Sequence, residues 1–89
     1  MGSYELRLDP SPRRSLNRLP LAAASAVVEF ITGRLLENPH RAGGELEREL
    51  SGYRSARVRE YRVIYRVLDD ESVVRVVRIE HRRDVYRSR

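Results

Sequence analysis

Tyr4, Leu6 and Leu8 alternate with Glu5, Arg7 and Asp9, the period-two pattern of a strand with one buried face. Asp9-Pro10-Ser11-Pro12 interrupts it. With Ser11 as N-cap and Pro12 at the first helical position, a short helix is predicted to about Leu19, its apolar contacts being Leu16 and Leu19. Pro20 ends that helix and suits the start of the next. From Leu21 to about Glu37, the residues Ala23, Ala26, Val27, Phe30, Ile31 and Leu35 fall on one broad helical face, and Asn38-Pro39 stops the run. The two helices read as an antiparallel hairpin laid against a sheet.

Residues 38–52 are the least regular stretch, opened by Gly43-Gly44 and closed by Ser51-Gly52, with Leu46 and Leu50 spaced for one helical turn. After Gly52 the pattern changes to strands: Tyr53–Arg59, Tyr61–Leu68 and Val73–His81, with Asp69-Asp70-Glu71-Ser72 as the turn between the last two. Tyr61, Val63, Tyr65 and Val67 share one strand face, so both tyrosines read as packing residues; Arg62, Ile64 and Arg66 point the other way. The order is β-α-α-β-β-β. It predicts an α+β fold, a helical hairpin packed on one face of a small, mainly antiparallel sheet with an arginine-bearing face opposite.

Composition narrows the classes. Eighty-nine residues make a single domain, residues 1–89, with Met1-Gly2-Ser3 reading as a disordered terminus or an expression remnant. There is no cysteine, hence no disulfide, thiolate nucleophile or thiolate metal site. Two isolated histidines and scattered acids give no zinc spacing, so no metal or other cofactor is expected. No apolar run spans a bilayer, no signal peptide is visible, and Leu6 stands where a myristoylation signal needs Ser or Thr. A cytoplasmic bacterial protein with no membrane partner is the expectation.

Charge changes the picture most. Residues 1–52 carry seven Arg and seven acids, while residues 53–89 carry eleven Arg and six acids, which supplies the whole net charge of +5. A positive field confined to one part of the fold suits a polyanionic partner. The arginines sit with tyrosines in two clusters, Tyr53 to Arg62 and His81 to Arg87. Guanidinium groups grip phosphates, and phenol rings stack on bases or move protons. Without further information, Arg62 and Arg82 read first as surface arginines paired with Glu60 or Glu80.

The element order, with Asn38-Pro39-His40-Arg41 and Gly43, Leu50-Ser51-Gly52, Ser55-Ala56-Arg57, Tyr61-Arg62-Val63-Ile64-Tyr65 and His81-Arg82-Arg83-Asp84-Val85-Tyr86, resembles the RelE family of bacterial toxin ribonucleases in the RelE/ParE superfamily. That resemblance runs from Tyr4 to Arg87. It implies a type II toxin that cuts messenger RNA in the ribosomal decoding site and is neutralised by a cognate acidic RelB-like antitoxin. It further implies attack of the ribose 2′-hydroxyl on the adjacent phosphate, with Arg62 as main transition-state donor, Arg82 as second donor and Tyr86 positioning a base. Arg54, Arg57, Arg59, His81 and Arg83 are implied as RNA or phosphate contacts.

Two departures stand out. Some relatives place lysines on the strand before Arg62, one of them a candidate base, whereas all eighteen basic side chains here are Arg, which does not deprotonate. Tyr86, His81 and Glu45, which falls near a catalytic Glu of YoeB-like relatives, are the alternatives. Arg59 also occupies a position that is often Gly in the family. The competing readings are a ParE-like inhibitor of DNA gyrase and a decayed, non-catalytic nucleic-acid-binding module.

Overall fold

The computed structural model describes residues 4–83. In chain order these form β1 (Glu5–Leu8), α1 (Pro10–Arg18), α2 (Leu21–Thr32), α3 (Arg34–Glu37), α4 (Pro39–Ala42), β2 (Gly44–Glu45), β3 (Arg54–Val58), β4 (Tyr61–Leu68) and β5 (Val73–His81), with 3-10 turns at Arg48–Leu50 and Asp69–Glu71. The strands make one sheet in the order β1-β5-β4-β3-β2. Only the β1–β5 pairing is parallel. The α+β architecture matches the sequence pattern, and β4 and β5 span the residues predicted for them.

The helices differ from expectation in instructive ways. α1 starts at Pro10, with Asp9 rather than Ser11 at the N-cap position. The Asp9 carboxylate makes no cap hydrogen bond; both its oxygens instead accept from the Arg75 guanidinium at 2.9 and 3.2 Å. The predicted second helix is broken at Gly33, whose φ of −120° and ψ of −97° leave the helical region. A Cβ at Gly33 would lie 2.9 Å from the Glu29 carbonyl oxygen, so the break needs glycine for space. α3 then redirects the chain and returns the fully buried Leu35 to the core in phase with α2.

Ala23, Val27, Phe30 and Ile31 form the buried stripe of α2. Val27, Phe30, Ile31 and Leu35 pack on Ala56, Val63, Tyr65, Val74, Val76 and Ile79, and Leu6, Leu8, Leu16 and Leu19 close the flank. Where Ile64 pairs with Arg78 and Tyr65 with Val76, Val77 is the extra residue of a bulge in β5.

The segment between α3 and β3 is more ordered than its sequence suggests. The Tyr65 hydroxyl, fully buried, donates to the Pro39 carbonyl oxygen at 2.7 Å and holds α4 against the sheet. Burial pushes the Tyr65 pKa above its ordinary value, against the opposing influence of Arg54. Gly43 allows this approach: a Cβ there would meet the Ser55 carbonyl oxygen at 2.5 Å and the Tyr65 hydroxyl at 2.8 Å. Gly44 and Glu45 then pair with Ser55 and Arg54 as a short edge strand.

Candidate functional site

Strand alternation assigns the arginines to faces. Ala56, Val63 and Ile79 lie in one core cluster beneath the helices, so their sequence neighbours Arg57, Arg62 and Glu80 project from the opposite face. Register places Arg57 directly across from Arg62, and Arg62 across from Glu80. Cross-strand partners stand roughly 5 Å apart at Cβ, and like charges so placed repel. A bound anion would relieve that repulsion.

The neighbouring carboxylates are engaged elsewhere. Glu80 accepts from the Arg78 guanidinium at 2.6 Å, and Glu60 lies 3.4 Å from His81 Nε2. No carboxylate among the described residues pairs with Arg57, Arg62 or Arg82. The surface-pair reading of Arg62 and Arg82 with Glu60 or Glu80 is therefore not what the geometry shows. Arg62 is half-buried and Arg57 exposed, which orients the first and leaves both accessible to a phosphate.

His81 fixes the end of β5. It lies edge-on to the Tyr61 ring, 5.1 Å between centroids at 87°. Its Nδ1 accepts from the Arg83 backbone N–H at 3.1 Å, which assigns the ring proton to Nε2, facing Glu60. The Arg82 backbone N–H donates to the Glu60 carbonyl oxygen at 2.8 Å. These bonds tie the chain after β5 to the β3–β4 turn, where the exposed side chains of Arg82 and Arg83 emerge. His81 thus positions the chain that carries Arg82 and Arg83.

Arg59 and Glu60 make a two-residue turn between the paired Val58 and Tyr61. Arg59 has φ of 56° and Glu60 is not among the positive-φ residues, the sign pattern of a hairpin turn that calls for Gly at its first position. The family preference for glycine here thus has a backbone cause. Beside the turn, a groove of about 490 Å³ is lined by Ala26, Phe30 and Val58 and rimmed by Arg34, Arg57 and Arg59 together with Glu29.

Arg54 and Glu45 are not brought to this face. Arg54 shares the core-side face of Ala56, with its side chain only 18% exposed, and donates to the carbonyl oxygens of His40 (2.6 Å) and Gly43 (3.2 Å). Glu45, paired with Arg54 across β2 and β3, lies 3.4 Å from that guanidinium. The expected phosphate contact at Arg54 is a structural clamp on the α4–β2 segment, and Glu45 is turned away from Arg62. Arg54, Ala56 and Val58 are spaced by two, so the apolar character of Ala56 and Val58 held the missed signal. Tyr86 lies outside the described residues.

A sequence model described as the ParE toxin of the type II toxin–antitoxin system parDE matches residues 6–86. Toxin RelG of Mycobacterium tuberculosis is 44% identical over 84 residues, covering 94% of this chain and 97% of the relative. Toxin RelE of the same organism is 42% identical over 84 residues, covering 94% and 87%. A chain in the crystal structure of the toxin–antitoxin complex RelBE2 from M. tuberculosis superposes with a TM-score of 0.85 at 42% identity, covering 89% of this chain and 98% of that one. This chain belongs to the RelE/ParE family of type II toxin–antitoxin toxins, and within it to the RelE toxins.

Proposed function

We propose that the chain is a ribosome-dependent endoribonuclease that cleaves messenger RNA in the decoding site. The observation that carries the proposal is the Arg57–Arg62 cross-strand pair, on the face opposite the helices, with the nearby acids committed to Arg78 and His81. In the reaction the ribose 2′-oxygen loses its proton and bonds to the adjacent phosphorus, the bond to the 5′-oxygen breaks, and that oxygen takes a proton from water, leaving a cyclic phosphate and a free 5′-hydroxyl. Negative charge grows on the non-bridging oxygens as the new bond forms. Arg62 supplies the main donor to that charge, Arg57 a second from across the sheet, and Arg82 a third from the end of β5.

The proton of the 2′-hydroxyl needs an acceptor. Arginine does not serve, and Glu45 lies with Arg54 on the other face. Tyr86, which matches the family's terminal tyrosine, is the proposed group; arginines near it in sequence, Arg82, Arg83 and Arg87, would favour its anionic form.

The partner follows from charge and kinship. A relative 42% identical to this chain is found in a toxin–antitoxin complex. We infer a RelB-like antitoxin whose acidic segment lies across the arginine face, neutralising it. The groove rimmed by Arg34, Arg57 and Arg59 offers an apolar lining beside it. No helix among the described residues is long and apolar enough to cross a membrane.

The family match by a ParE model favours one alternative, inhibition of DNA gyrase. One experiment decides between them. Purified protein is incubated with ribosomes carrying a defined message, and separately with gyrase and relaxed plasmid. The ribonuclease reading predicts a cut message with cyclic-phosphate and 5′-hydroxyl ends, blocked by a 2′-deoxy sugar at the cut, and normal supercoiling. An intact message with arrested supercoiling would replace it with the gyrase reading.

A further inference from the structure

A second cluster occupies the other end of the arginine face. Arg66 on β4 stands across from Arg75 on β5, which stands across from Arg7 on β1, so three arginines form one row over three adjacent strands. Such a row is costly unless compensated. Asp9 holds Arg75 with two hydrogen bonds and Glu71 lies 3.5 Å from Arg7. Arg66 has no carboxylate partner among the described residues. Its guanidinium instead lies over the ring of Tyr53, 5.5 Å from the centroid, with Arg66 itself exposed. Arg75 stands across from Arg66, and the Asp9 carboxylate raises its pKa by hydrogen bond and charge.

We propose that Tyr53 and Arg66 form a second RNA contact, where an unpaired base of the message stacks on the exposed face of the Arg66–Tyr53 pair. The inference rests on the ribonuclease reading above and adds which part of the substrate this end of the sheet holds. Arg66 follows Arg62 by four residues on the same strand face, about 13 Å along β4, a span an extended single strand covers in a few nucleotides. The seat therefore takes a base near, and distinct from, the cleaved phosphate. Stacking on aromatic and guanidinium planes is how proteins hold unpaired RNA bases, and it tolerates any base.

The test is single-turnover cleavage of messages on ribosomes by wild type, Tyr53→Leu, Tyr53→Phe and Arg66→Ala, with abasic nucleotides scanned around the cut. Tyr53→Leu and Arg66→Ala should raise the half-saturating toxin concentration about tenfold, the scale of one stacked base. The saturating rate should change much less, and Tyr53→Phe should restore the wild-type concentration. One abasic position should weaken wild type by a similar factor and leave Tyr53→Leu unaffected. If wild type cleaves but both variants keep its half-saturating concentration, or if no abasic position is Tyr53-dependent, the second contact is overturned while the ribonuclease reading stands. If wild type leaves the message intact, both are overturned.

Discussion

Replacing Arg59 with glycine should stabilise the protein. The residue has φ of 56°, in the first position of the two-residue turn that joins Val58 to Tyr61. A side chain with left-handed backbone costs about 1–2 kcal/mol, which glycine escapes. Glycine's greater freedom in the unfolded chain returns roughly 0.4–1 kcal/mol of that gain. The net expectation for Arg59→Gly is about 0.5–1 kcal/mol of added stability. For a domain of this size that corresponds to a rise in Tm of about 2–8 °C. Thermal unfolding followed by circular dichroism measures it, with Arg59→Ala as the control that removes the charge and retains the strained backbone. If Arg59→Gly melts no higher than Arg59→Ala, backbone strain at the turn is not a stability term and the family glycine needs another explanation.

Arg54→Ala should cost roughly 1.5–3 kcal/mol by removing the bonds to the His40 and Gly43 carbonyls, while single-turnover cleavage at a permissive temperature stays near wild type. A specific cleavage defect with unchanged stability would restore Arg54 to the RNA-binding face. Gly43→Ala should cost about 1–3 kcal/mol, because its Cβ would crowd the Ser55 carbonyl and the Tyr65 hydroxyl; a denaturant midpoint equal to wild type would show that the segment yields freely. Asp69 accepts hydrogen bonds from His40 and Tyr4, which hold its pKa below the ordinary aspartate value. A lowered folded-state pKa gives stability that is present above about pH 4 and lost as pH falls through the folded value. Asp69→Asn should therefore shallow the acid limb of the Tm–pH curve and leave its shape near pH 7 unchanged; an unaltered acid limb would contradict this.

Some of this was legible in the sequence because the physics is local. β4 and β5 were legible as β-branched and aromatic runs on either side of a turn of acids. The core stripe of α2 was equally plain, but the break at Gly33 was hidden because Leu35 stays in phase with the stripe across α3. β2 is two residues long and has no periodicity to read; it exists because Gly43 lets the chain settle onto Ser55. Among the candidate site residues, Arg57 and Arg62 meet in register, whereas Arg54 and Glu45 came from the family resemblance alone, and the alternation through Ala56 sets Arg54 on the face opposite Arg57. The engagement of His81 depends on how the chain turns at Arg83, which spacing does not encode. The φ of Arg59 was equally invisible, although the family glycine marks it.

The central claim is that the arginine face stabilises a phosphorane-like transition state on ribosome-bound RNA. Single-turnover cleavage by Arg62→Ala, at saturating toxin and with its melting temperature checked against wild type, tests it most directly. Loss of one such donor predicts a rate lower by about a hundredfold or more. A folded Arg62→Ala protein that cleaves the message within a few-fold of the wild-type rate would contradict the account.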